Sequence, residues 1–227
     1  MKIVEGATVY LPDERDVKIA RYGMGNRKLG ASVFTFSRTP GANVYLGTCP
    51  GETTWCSDRC YAKRIEGPVR EVHRLNSGTA EVSPIPAAAK LLRIHVSGDF
   101  DTIPYINAWR ERLLERPDVR AWAYTRSFRV PKLVPALEQL RALPNLQLFA
   151  SMDPSTTEPP PPGWRVAWIA GDPRLSALGD DPRLQRALAG HTSYACPEQT
   201  GEKTDCASCR YCLDGFKNTA DVTFSEH

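Results

Sequence analysis

From residue 91 onward the chain switches between a period of two and a period near 3.6. Leu91-Leu92-Arg93-Ile94-His95-Val96 predicts a strand that ends in Ser97-Gly98-Asp99. Ile103, Ile106, Trp109 and Leu113 then recur at helical spacing, with Asp101 or Thr102 as cap and Pro104 in the first turn. Val119 to Tyr124 predicts the next strand, closing in Thr125-Arg126-Ser127, and Leu133, Leu137 and Leu140 form the stripe of a helix near 132–142. Leu146 to Ala150, Trp164 to Ile169 and Thr192 to Ala195 read as further strands. Pro159 to Pro162 make a stiff connection, and Leu184 to Leu188 a short helix. Upstream, Val33 to Phe36 and Val44 to Gly47 read as strands about the turn Pro40-Gly41. The region after Cys60 is helical, broken at Gly67-Pro68, with Val69, Val72 and Leu75 on one face beyond the break.

Strand and helix in alternation predict an α/β fold: a parallel (β/α) barrel, partial or closed, of about six strands, with a C-terminal cysteine-rich metal-binding extension. Residues 1–30 form an irregular lead-in with at most a short strand. Residues 31–195 are the barrel-like domain with a cluster loop at 49–60, and 196–227 the extension. In such folds functional groups collect at the carboxyl ends of strands. Three strands close on a small residue, one intervening residue and an aspartate: Ser97-x-Asp99, Ser151-x-Asp153 and Ala170-x-Asp172. A fourth closes on Arg126. Asp and Ser are equally ordinary turn and cap residues, so each alone has a structural reading too. Alternation puts Arg93, His95 and Ser97 on one face, lining a lumen, and Leu92, Ile94 and Val96 on the other. His95 is either a ligand contact or a satisfied interior histidine.

The 227 residues are 41% hydrophobic and 24% charged, with a net charge of +3, the balance of an ordinary globular chain with no strong pull towards nucleic acid. The start carries no secretory h-region and no run is apolar enough to span a bilayer, so a cytoplasmic protein without a membrane partner is expected. The seven cysteines change the picture. All fall in two groups, Cys49, Cys56 and Cys60 spaced C-x6-C-x3-C, and Cys196, Cys206, Cys209 and Cys212 spaced C-x9-C-x2-C-x2-C. Convergent thiolates in a reducing compartment hold metal rather than disulfides. Thiolate ligands admit zinc or iron–sulfur. Three plus four ligands leave the first group an open site and close the second. In the other partition Cys196 completes the first group, and the ferredoxin-like run Cys206, Cys209, Cys212 stays open.

The string Cys49-Pro50-Gly51 through Cys56 to Cys60-Tyr61-Ala62, the strands His95-Val96-Ser97-Gly98-Asp99-Phe100 and Ala123-Tyr124-Thr125-Arg126-Ser127, and Cys196-Pro197-Glu198-Gln199-Thr200-Gly201 resemble the phage and bacterial gene-product-88-like domain family, from about residue 30 to about 217. The layout is also distantly similar to radical S-adenosylmethionine enzymes. There three cysteines after the first barrel strand hold a [4Fe–4S] cluster whose open iron binds S-adenosylmethionine. Their usual C-x3-C-x2-C is longer here, and Ser97-Gly98-Asp99 stands loosely where they carry Gly-Gly-Glu.

That second resemblance implies an enzyme with one open [4Fe–4S] cluster, an auxiliary cluster (or zinc) on the C-terminal cysteines, and an external reductant. Ser97, Gly98, Asp99 and Arg126 would contact S-adenosylmethionine, and His95, Ser151, Asp153 and Asp172 the substrate, a small molecule or a nucleic acid. No catalytic residue is named by the sequence. A metal-stabilised nucleic-acid-binding protein is the alternative, resting on Lys63, Arg64, Arg126, Arg129 and Lys132. A third reading is an electron carrier or an iron Lewis acid that needs no S-adenosylmethionine.

Overall fold

The computed structural model describes residues 2–4, 7–10, 22–42, 44–65, 67–170, 172, 193–214 and 220–226. Among these, ten strands make one sheet in the order β1-β2-β3-β4-β5-β6-β7-β8-β10-β9. β1 (Lys2–Val4), β2 (Ala7–Tyr10) and β3 (Tyr22–Met24) form an antiparallel meander that joins β4 (Val33–Phe36). The lead-in is therefore part of the sheet, not an irregular tail. β5 (Leu91–Ile94), β6 (Arg120–Thr125), β7 (Leu146–Ser151) and β8 (Arg165–Ile169) follow in order, each parallel to the last. β10 (Asp221–Phe224) lies between β8 and β9 (Ser193–Ala195), parallel to both. The extension beyond residue 196 thus returns a strand to the sheet, which no repeat of the upstream pattern announced.

The sheet is open, with β1 and β9 at its edges, so a closed barrel is not formed. Right-handed crossovers between parallel strands added in sequence, here β4 to β8, fall on one face of the sheet. On that face lie α2 (Gly67–Ser77), α3 (Ile103–Glu115) and α4 (Val134–Arg141). Thr102 caps α3 by accepting from the Tyr105 amide, and Tyr105, Ile106, Trp109 and Leu113 are its buried face. Ile103, expected on that face, is 43% exposed; Tyr105 takes its place. In α2 the buried residues are His73 and Asn76 rather than the expected Leu75, because Asn76 spends its side chain on the Ser37 carbonyl. Phe34, Phe36, Leu92, Ile94, Leu148 and Val166 complete this core. Val44 to Gly47, expected as a strand, is a turn, and the expected helix at 184–188 lies outside the described residues.

The other face carries the alternate positions: Val33, Leu91, Arg93, Trp122, Tyr124, Phe149, Ala167 and Val222. Among the described residues the helices α2, α3 and α4 leave it uncovered. The C-terminal cysteine segment lies across it instead, with Leu213 and Cys212 packed on Val33 and Trp122. The expected alternation also breaks at one residue. His95 has φ of 60°, in the left-handed region, which ends β5 and turns its ring towards the helices, against Phe100 and Tyr105.

Candidate metal centre

The loop holding the first three cysteines crosses the carboxyl ends of the parallel strands and is fastened there residue by residue. Thr53 caps α1 (Thr54–Arg59), accepting from the Cys56 amide at 3.0 Å, while its own hydroxyl donates to Asp153 at 2.7 Å. Arg126 Nε donates to the same Asp153 oxygen at 2.9 Å. Arg129 Nη1 donates to the carbonyls of Gly51 and Glu52, and its Nε pairs with Glu158. Gly51 passes so close to β6 that a Cβ there would lie 2.1 Å from the Arg126 carbonyl. Glu52 closes the loop on itself by accepting from Ala42 and pairing with Lys63 at 2.9 Å.

Ser97-Gly98-Asp99 latches the preceding segment. Ser97 Oγ donates to the Arg38 carbonyl, and Gly98, at φ of 80°, lies against Thr48 and Arg38 where no side chain fits. Asp99 accepts from Thr125 Oγ1 and from the amides of Phe100 and Arg126, the last at 2.8 Å. Burial raises its pKa despite these three donors.

All seven cysteines line one cavity of ≈ 540 Å³ on the open face of the sheet, and all are free thiols. The first group follows β4, and Cys196 follows β9. Cys206 and Cys209 bound α5 (Cys206–Cys209), capped by Asp205 and tied to the approach to β4 by Cys206 N donating to Lys28 O at 3.0 Å. Burial raises the thiol of Cys49 well above its ordinary value, with Asp99 and Cys56 adding to it. Burial also raises Cys56, against the opposing charge of Arg126 and with Cys60 adding. Cys206 is pushed up to about 11 by burial, eased by Arg93 and reinforced by Cys196 and Cys209. Cys212 is pushed up to about 12 by burial, against Tyr124, whose hydroxyl donates to its sulfur at 2.9 Å, and with Cys196 adding. Cys196 is thus an electrostatic neighbour of Cys206, Cys209 and Cys212.

Among the described residues no three Cys, His, Asp or Glu side chains gather round one point as a single ion requires. A tetrahedral zinc site needs thiolates about 3.8 Å apart, given its ~2.3 Å bonds. A cluster places each thiolate on a different iron and so needs a wider ring.

The family model for gene product 88 matches residues 83–215. The chain belongs to the gene product 88 family. It is 28% identical over 202 residues to the gene 88 protein of Mycobacterium phage L5, covering 75% of this chain and 80% of that protein. It is 26% identical over 202 residues to the gene 88 protein of Mycobacterium phage D29, with the same coverage. No solved structure matches it. The family match takes in the strand ends and the second cysteine group, and begins after Cys49, Cys56 and Cys60. The match expected from about residue 30 is thus borne out by the family model from residue 83 onward.

Of the residues expected to meet a cofactor, Ser97, Gly98, Asp99 and Arg126 all line the cavity. Of those expected to meet a substrate, Ser151 lines it and His95 borders it. The His95 ring itself is committed to Tyr105 at 2.8 Å and is buried among aromatics, which holds its pKa well below the ordinary value. Asp153 and Asp172 are buried and lie outside the lining; Asp153 is an anchor for the loop. Of the five basic residues behind the nucleic-acid reading, three are engaged within the chain: Arg126 on Asp153, Arg129 on Glu158 and Lys63 on Glu52. Sequence reasoning missed Tyr124, Trp122 and Trp55 as lining residues. An aromatic pair two apart in β6, on the face opposite Ala121 and Ala123, was the signal available. Among the described residues no helix is long and apolar enough to cross a membrane.

Proposed function

We propose that this chain is an iron–sulfur protein of radical S-adenosylmethionine type. Cys49, Cys56 and Cys60 hold a [4Fe–4S] cluster with one open iron, and Cys196, Cys206, Cys209 and Cys212 hold a second, fully ligated cluster. The observation that carries the reading is the convergence of seven unpaired thiols, remote in sequence, on one cavity beside the strand ends. A cluster held there would supply, on reduction by an external donor, one electron for cleavage of a carbon–sulfur bond of S-adenosylmethionine. The chain's own part is to position and shield. Asp99, the electrostatic neighbour of Cys49, and Gly98 offer acceptors for an amino group, while Arg126, beside Cys56, offers N–H donors to a carboxylate. Trp55, Trp122 and Tyr124 keep the cavity wall apolar.

A cytoplasmic setting with an external reductant fits thiols that are free of disulfides. Iron and acid-labile sulfide measured on oxygen-free protein test the reading first, with two [4Fe–4S] clusters per chain expected. Zinc in a colourless protein would overturn it at both groups, and zinc beside one iron cluster would make the C-terminal site a structural zinc site. Reduction in the presence of S-adenosylmethionine should then yield its cleavage products. Intact clusters without cleavage would leave the electron-carrier or Lewis-acid reading.

A further inference from the structure

Five basic side chains line the cavity: Lys28, Arg59, Arg93, Arg126 and Arg210. Four of them are paired with acids, namely Glu198, Glu226, Asp153 and Asp214 in that order. Arg93 alone has no ion pair among the described residues. A cation removed from bulk water without a counter-charge is costly, and charged side chains in such places are normally paired. The position is also built. The Arg93 guanidinium lies 4.0 Å from the centre of the Tyr124 ring and 5.8 Å from that of Trp122. Its Nε and Nη2 donate to the His95 carbonyl at 3.3 and 3.2 Å, the carbonyl of the residue with the left-handed backbone. Those bonds and the ring fix its plane. Two of five N–H donors are used, and Nη1 has no partner among the described residues.

We propose that Arg93 is the anchor for the anionic group, a carboxylate or a phosphate, of the small molecule that the cavity admits. A guanidinium held flat with one edge free matches a planar or tripodal oxyanion through two parallel N–H donors. Tyr124 and Trp122 beside it offer apolar surface to the rest of the molecule. The cavity volume is that of a small-molecule site. This inference deepens the iron–sulfur reading by naming the class of molecule bound, and its binding step stands without cluster chemistry.

The test uses the whole protein with its metal in place. Inorganic phosphate and sodium acetate are titrated separately by calorimetry into wild type, Arg93→Gln and Arg93→Lys. Wild type should bind at least one of the two saturably at one site. Arg93→Gln should bind about tenfold or more weakly, the loss of charge-assisted hydrogen bonds, with Arg93→Lys between. Which probe binds tells phosphate from carboxylate. Iron, sulfide and thermal midpoint are measured alongside, so a wild type without clusters speaks against the iron–sulfur reading, and a wild type with clusters but no saturable anion binding speaks against this one. If Arg93→Gln does not fold, phenylglyoxal labelling of wild type read by peptide mass spectrometry replaces it, and the bound anion should slow modification of Arg93. Wild type that binds neither probe, equal binding by Arg93→Gln, or labelling indifferent to both anions would overturn the inference. It would fall equally if Arg93→Gln merely sheds metal while anion binding persists, which would make Arg93 only the counter-charge of the Cys206 thiolate.

Discussion

Around Cys49, Cys56 and Cys60 the backbone is bolted to the strand ends by buried and half-buried side chains: Thr53 and Arg126 on Asp153, Arg129 on two loop carbonyls, Ser97 on Arg38. Around Cys206, Cys209 and Cys212 the attachment is different. Apolar groups rest on the open sheet face, a four-residue helix carries two of the thiols, and the main-chain ties run to Lys28 and Leu29. Directional bonds fix a loop whether or not a ligand is present, whereas packing by a short segment leaves much of its order to whatever the thiols hold. The rim group is built by the protein, and on the proposed reading the C-terminal group would be completed by its metal.

Removing the metal breaks this comparison most severely. Chelation under anaerobic conditions should expose residues 196–214 to protease while 49–60 stay protected. The stability lost should be of order 10 kcal/mol, as for structural thiolate sites. Equal protease sensitivity of both segments would erase the distinction. Asp153→Ala attacks the other side. It removes the acceptor of Thr53 and Arg126 from a site that is 0% exposed, and should cost about 3–5 kcal/mol in urea unfolding while leaving the C-terminal segment protected.

Acid probes the helix-covered side of the sheet. Burial lowers His73 from 6.5 to about 4, and burial with the Arg38 and Arg93 charges lowers His95 further below its ordinary value. Both stay neutral when folded, so below about pH 6.5 the unfolded chain binds more protons. Stability should therefore fall as pH drops from 6.5 towards 4, by about 3 kcal/mol for His73 at most, and His73→Gln should flatten that slope. The smallest effect sharpens the comparison. Tyr124→Phe removes the hydroxyl that donates to Cys212, at about 1 kcal/mol in stability, and should shift the reduction potential of the C-terminal cluster without moving that of the rim cluster.

Much of the frame was legible in the chain. Period-two runs at 91–94, 120–125, 146–151 and 165–169 became parallel strands because each buries the same alternate residues against α3 and α4. Clustered cysteines, acids after strands and the arginine after β6 were readable too, since residue type and spacing are local properties. What the chain could not declare were relations between distant segments. β10 and the meander at 2–24 were hidden, because short strands acquire their identity from the neighbour they pair with. The reversal at His95 was hidden because one left-handed residue exchanges the faces that alternation assigns.

The sequence by itself determined that the cysteines fall in two groups and that the frame is mostly parallel α/β, both written in composition and period. Only the tertiary structure decided that the sheet stays open, that its uncovered face is roofed by the C-terminal cysteines, and that the acids at the strand ends serve as anchors. Those outcomes depend on which long-range bonds and apolar contacts win once the chain closes on itself, and no local pattern encodes that competition.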